Sequence, residues 1–154
     1  MSPESRGDEI SDTAISDTAV PETGRVQLAL NVTDVDAAVE FYSKVFGVGP
    51  SKRREGYANF AISRPPLKLV LIEASEGGTM NHLGVEVPDT PAVNAATKSF
   101  VDLGLTTFEE QGVTCCYAEQ DKVFVTDPDG LDWEWYTVLA DAGQMAKSTA
   151  TNCC

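Results

Sequence analysis

No stretch of the 154-residue chain approaches the roughly 20 consecutive apolar residues that span a bilayer, so no membrane helix is expected. Positive charge is scarce: 11 Lys and Arg stand against 24 Asp and Glu, a formal charge of −13. Nucleic-acid binding rests on neutralising phosphates with Lys and Arg, so that class of partner is excluded. The acidic surplus suits a soluble, cytoplasmic protein. Residues 1–17 lack both a basic n-region and an apolar h-region, so no export signal is expected. Histidine is reduced to His82 alone. Cysteine occurs only as the adjacent pairs Cys115-Cys116 and Cys153-Cys154. Neighbouring Cα atoms lie about 3.8 Å apart, short of the roughly 4.4–6.8 Å that disulfides prefer, so neither pair suits an internal bridge. Reduced thiols are therefore expected, and a bridge between the pairs would need an oxidising setting.

What is present is enough for one domain, or two small modules sharing a core: 42% of residues are hydrophobic. Residues 1–24 carry six acids against Arg6, and the unit Ile-Ser-Asp-Thr-Ala repeats at 10–14 and 15–19. Such a segment cannot bury enough surface to offset its ordering entropy and reads as a disordered tail. Residues 140–154, small and polar, read as a flexible tail. Between them, 25–139 alternates strand and helix signals. Val26–Val32 reads as a strand. Asp34 then caps a helix whose apolar residues Val35, Ala38, Val39, Tyr42, Val45 and Phe46 recur at helical spacing up to Gly47. Strands follow at Tyr57–Ile62 and Lys68–Glu73, turned by Pro65-Pro66. The pattern restarts with a strand at His82–Val87 and a helix at Pro91–Leu103 closed by Gly104. Strands at Thr114–Glu119, Lys122–Thr126 and Asp132–Val138 complete it, the last preceded by the turn Asp127-Pro-Asp-Gly130.

The halves overlay at an offset of 55: Leu28, Leu30, Val32 and Asp34 fall on Leu83, Val85, Val87 and Asp89. The expected fold is α+β, two β-α-β-β-β modules (about 25–75 and 80–139) forming a pair of half-barrels. On the same overlay Gln27 falls on His82, two polar residues at equivalent strand starts that could face one cavity. Glu134, between Trp133 and Trp135, points to the face opposite both. Gln27, His82 and Glu134 make an imidazole, a carboxylate and an amide oxygen, similar to the two-histidine, one-carboxylate triad of non-haem Fe(II) with one ligand weakened. Two adjacent thiols, Cys115 and Cys116, offer a soft site, although free cysteines also serve as small buried hydrophobes. In a regular strand they would point to opposite faces, so joint chelation requires a turn, bulge or loop, and Gly112 is near. Tyr57, Phe60, Tyr117 and Phe124 could line an apolar pocket or simply fill a core. Lys122 could orient an anion or be an exposed strand lysine. Glu73 is a fallback metal ligand.

The run Gln27-Leu-Ala-Leu-Asn-Val-Thr-Asp34 with Phe41-Tyr42, the run His82-Leu-Gly-Val-Glu-Val87, and Asp127-Pro-Asp-Gly-Leu-Asp-Trp-Glu134 resemble the module openings and closing metal-site turn of the vicinal oxygen chelate superfamily. Gly56–Ile62, Pro65–Glu73 and Thr114-Cys-Cys-Tyr-Ala-Glu-Gln-Asp-Lys-Val123 are similar to its carbon–arsenic lyase branch, which also holds the cadmium-induced proteins. The resemblance implies Fe(II)- and O₂-dependent cleavage of trivalent organoarsenicals such as methylarsonous acid to inorganic arsenite. Gln27, His82 and Glu134 would hold iron and act as the catalytic set. Cys115 and Cys116 would hold arsenic, with Tyr57, Phe60, Tyr117 and Lys122 around the substrate. Cys153 and Cys154 could hand on metal or arsenic. The alternative within this fold is a non-catalytic thiol trap for cadmium or arsenic. A glyoxalase, extradiol dioxygenase or fosfomycin-inactivating thiol transferase has no need of adjacent protein thiols. The modules could pair within one chain or exchange between two, as a monomer or a homodimer.

Overall fold

The computed structural model describes residues 19–115 and 117–143. Most of the expected N-terminal tail, Cys116 and the Cys153-Cys154 pair lie outside the described residues. In chain order the elements are β1 (Arg25–Val32), α1 (Val35–Phe46), β2 (Lys52–Arg54), β3 (Tyr57–Ile62) and β4 (Leu67–Glu73). They are followed by β5 (Thr79–Glu86), α2 (Thr90–Asp102), β6 (Thr107–Cys115), β7 (Ala118–Thr126) and β8 (Asp132–Asp141).

Both helices start in the same way, 55 residues apart. The Asp34 carboxylate accepts from the Ala37 amide at 3.0 Å and Asp89 from that of Ala92 at 2.9 Å, each satisfying an amide that the first turn leaves unpaired. Gly47 ends α1 in the left-handed conformation at φ 69°.

The strands form one mixed sheet in the order β2-β3-β4-β1-β5-β8-β7-β6. In each half the first strand runs parallel to the last, β1 to β4 and β5 to β8, and β1 joins β5 antiparallel. The two modules thus close on each other within one chain, as a half-barrel pair with two helices. Strand alternation divides the faces. Ala58, Phe60, Ile62, Leu69 and Leu71 pack with Val35 under α1, and Val123 packs with Val93, Phe100 and Trp135 under α2. Tyr57, Asn59, Ala61, Lys68 and Val70 face the other way and line a cavity.

Several expectations need correction. Thr114–Glu119 is no strand. Cys115 ends β6, Ala118 opens β7, and the two are paired, so the segment is a hairpin tip with Tyr117 at φ 59°. β2 is three charged residues held by pairing to β3, and β6 begins at Thr107 among glutamates. Neither carries an apolar alternation to reveal it. The bulge near Gly112 is present: the β6–β7 register shifts between Glu110 and Val113, with Gly112 at φ 59°. Glu73, the fallback ligand, lies at the start of α1 instead of with Gln27, His82 and Glu134: its Oε2 accepts from the Val35 amide at 3.1 Å.

Candidate active site

Gln27, His82 and Glu134 come from three adjacent strands, β1, β5 and β8, and meet in the interior at 4%, 3% and 3% exposure. Gln27 Nε2 donates to Glu134 Oε1 at 2.7 Å and lies 3.1 Å from His82 Nε2. His82 Nε2 and Glu134 Oε1 are 3.4 Å apart. The strands approach this closely because Gly84 has no side chain: a Cβ there would lie 2.2 Å from the Glu134 carbonyl oxygen.

The surroundings fix the imidazole. Asn81 Nδ2 donates to Asn31 Oδ1 at 3.0 Å, which turns Asn81 Oδ1 toward His82 Nδ1 at 2.8 Å. Nδ1 therefore carries a proton and donates it, and Nε2 faces the centre of the trio. Burial alone pushes the Glu134 carboxyl up, but the Lys122 ammonium, 3.1 Å from Oε2, and His82 beside Oε1 together hold it down to about 2. His82 Nε2 and the Glu134 carboxylate thus face each other, bridged by an amide.

Among the described residues no three His, Cys, Asp or Glu side chains converge on a metal site. The trio qualifies only because its third donor is an amide. Its residue types suit a first-row divalent metal: cis donors about 2.1 Å from such an ion lie about 3 Å apart, near the 3.4 Å between His82 Nε2 and Glu134 Oε1. The amide must turn to present Oε1, which now accepts from the Tyr136 hydroxyl; Nε2 can donate to that hydroxyl after the turn.

Lys122 is a further correction. Its side chain is 0% exposed, with Nζ 5.6 and 5.9 Å from the Phe124 and Tyr136 ring centres. It is therefore a counter-ion to Glu134 and no surface lysine. Phe60, expected at the pocket, belongs instead to the core under α1.

Of the trio, Gln27 lines the cavity, which holds about 450 Å³ and also carries Tyr57, Ala118, Gln120 and Tyr136. That volume is in the range of small-molecule sites. Tyr117 packs edge-on against Tyr57 at 5.1 Å, and Arg54 lies 5.8 Å over its ring. Lys52 Nζ donates to the Tyr117 carbonyl at 3.0 Å, so the first module clasps the hairpin tip of the second. Burial pushes the Tyr57 hydroxyl up to about 12, so it stays protonated. Cys115 is 1% exposed and is disulfide-bonded, contrary to the reduced thiol expected; its partner lies outside the described residues. Sequence reasoning missed Tyr136 and Gln120, although alternation outward from Glu134 and Lys122 reaches both.

The sequence profile of the glyoxalase/bleomycin resistance protein/dioxygenase superfamily matches residues 24–135. The chain belongs to this superfamily. Within it, the chain is 56% identical over 132 residues to a trivalent organoarsenical cleaving enzyme of Thermomonospora curvata, covering 84% of this chain and 87% of that one. It is 59% identical over 119 residues to the cadmium-induced protein CadI of Mycobacterium bovis, covering 77% and 78%. The Mn(II)-bound glyoxalase of Novosphingobium aromaticivorans shares the fold at TM-score 0.54 and 21% identity, over 83% of this chain and 44% of that one. Among the described residues no helix is long and apolar enough to cross a membrane.

Proposed function

We propose that this chain is a cytoplasmic enzyme, monomeric or homodimeric, that cleaves the carbon–arsenic bond of trivalent organoarsenicals such as methylarsonous acid and releases inorganic arsenite. Gln27, His82 and Glu134 would hold Fe(II), with O₂ as co-substrate. The observation that carries the reading is the convergence of these three donors behind one cavity, in a chain more than half identical to an organoarsenical cleaving enzyme. Bound there, iron would supply the activation of O₂ for oxidative cleavage. The chain's own residues do the rest. Asn81 keeps His82 Nε2 directed inward, and Lys122 keeps Glu134 ionised. Once the Cys115 disulfide is reduced, the thiolates of Cys115 and Cys116 would bind the thiophilic As(III) centre while its carbon substituent stays attached. Tyr57 and Tyr117 form an aromatic wall beside them. Closure of the β6–β7 hairpin as one body would bring the bound substrate to the trio and exclude water.

The cadmium-induced relative favours a second reading, a thiol trap without turnover. Reduced protein loaded with Fe(II) without air, then given excess methylarsonous acid and O₂, separates the two. Arsenite in excess over protein supports the enzyme, and about one unchanged arsenical per protein supports the trap.

A further inference from the structure

Gln120 is 4% exposed and lies on the wall of the same cavity as Gln27. Its Nε2 donates to the backbone carbonyl of Cys115 at 2.9 Å. Its Oε1 is, among the described residues, the one buried side-chain nitrogen or oxygen without a hydrogen-bond partner. Turning the amide over would set Oε1 against the Cys115 carbonyl oxygen, so the acceptor is held on the side of the amide away from that carbonyl, in a residue that lines the cavity. Two donors that line the same cavity are engaged elsewhere. The Tyr136 hydroxyl donates to Gln27, and Asn59 Nδ2 donates to the Tyr57 hydroxyl at 3.0 Å. A buried acceptor left unpaired is costly, and a bare methyl group on arsenic offers it nothing.

We propose that Gln120 is a specificity-determining residue that selects organoarsenicals whose organic substituent carries an O–H or N–H donor. The proposal rests on the organoarsenical reading above. Bonding to Cys115 fixes the acceptor to the hairpin that would hold arsenic, so arsenic and the substituent's donor are read from one rigid frame. Discrimination follows because a substituent with a donor satisfies Oε1, whereas one of equal size without a donor buries it unpaired.

The test is a competition measurement on pre-reduced, iron-free protein without air, so that nothing turns over. Phenyl-, 4-hydroxyphenyl-, 4-aminophenyl- and 4-methoxyphenylarsonous acids are displaced by a small dithiol, and relative dissociation constants are read. The hydroxyl and amino compounds should bind roughly 3- to 10-fold more tightly than the phenyl and methoxy compounds. The Gln120→Met variant should reduce this advantage to within about twofold, read as the ratio to the phenyl compound in the same variant. The methoxy comparison needs no variant and keeps the result decisive if Gln120→Met folds poorly. Equal affinity for all four compounds in the unaltered protein would overturn the proposal and leave the organoarsenical reading standing. Failure to hold any of the four would overturn both.

Discussion

Replacing Lys122 by Met should uncouple stability from metal binding in a measurable way. Lys122 is wholly buried, with Nζ 3.1 Å from Glu134 Oε2, and Met conserves much of its stem. Removing one partner of a buried ion pair leaves an uncompensated charge and costs about 3–5 kcal/mol. For a domain of this size each kcal/mol lowers Tm by about 2–4 °C, so metal-free Lys122→Met should melt about 6–20 °C below the unaltered protein. A divalent metal on the trio restores a positive charge beside Glu134. Saturating Fe(II) without air, or Co(II) as a redox-quiet substitute, should therefore raise Tm more in the variant than in the unaltered protein. The assay is calorimetry of both proteins with and without metal. A drop under about 2 °C in the metal-free variant would show that Lys122 does not compensate Glu134. An equal metal-induced rise in the two proteins would refute the placement of the metal at Glu134.

Other consequences are open to direct measurement. Cys115→Ser or Cys116→Ser should abolish capture of methylarsonous acid in equilibrium dialysis, and unreduced protein should behave like the Cys115 variant because Cys115 is disulfide-bonded. His82→Ala should weaken Co(II) binding by at least tenfold in titration while leaving one arsenical bound per reduced protein. Gly84→Ala should cost about 1–3 kcal/mol or more in urea unfolding, since its Cβ would meet the Glu134 backbone. In metal-free protein Glu134 ionises at about 2 when folded against a usual 4.5, so the unfolded chain binds more protons between those values. Its contribution of about 3 kcal/mol is complete above pH 4.5 and is lost as the pH falls through about 2. Urea midpoints from pH 6 to pH 2 should show that slope, and Glu134→Gln should remove it.

Much of the fold was legible because it is repeated. The 55-residue offset placed Asp34 on Asp89 and Gln27 on His82, and the structure brings the last two within 3.1 Å across the β1–β5 pair. Alternation around Trp133 and Trp135 placed Glu134 on the face opposite both, and the structure makes that face the inner one. What escaped notice was polar structure inside an inner face. Lys122 reads as a surface residue until Glu134 is known to sit on the neighbouring strand, because lysine is almost never buried unpaired. Phe60 reads as pocket lining until its parity with Ala58 and Ile62 assigns it to α1. The Cys115 hairpin was hidden because its tip lacks Asn-Gly or Asp-Gly; Tyr117 takes the positive φ instead. β2, three charged residues, exists only through pairing with β3.

The most direct measurement is arsenic speciation after methylarsonous acid is given to reduced protein with Fe(II) and O₂, alongside His82→Ala and a sample without O₂. The account predicts many equivalents of inorganic arsenite from the unaltered protein alone, with the arsenical bound but intact in the other two. Equal arsenite from His82→Ala, or no arsenite from any sample, would contradict it.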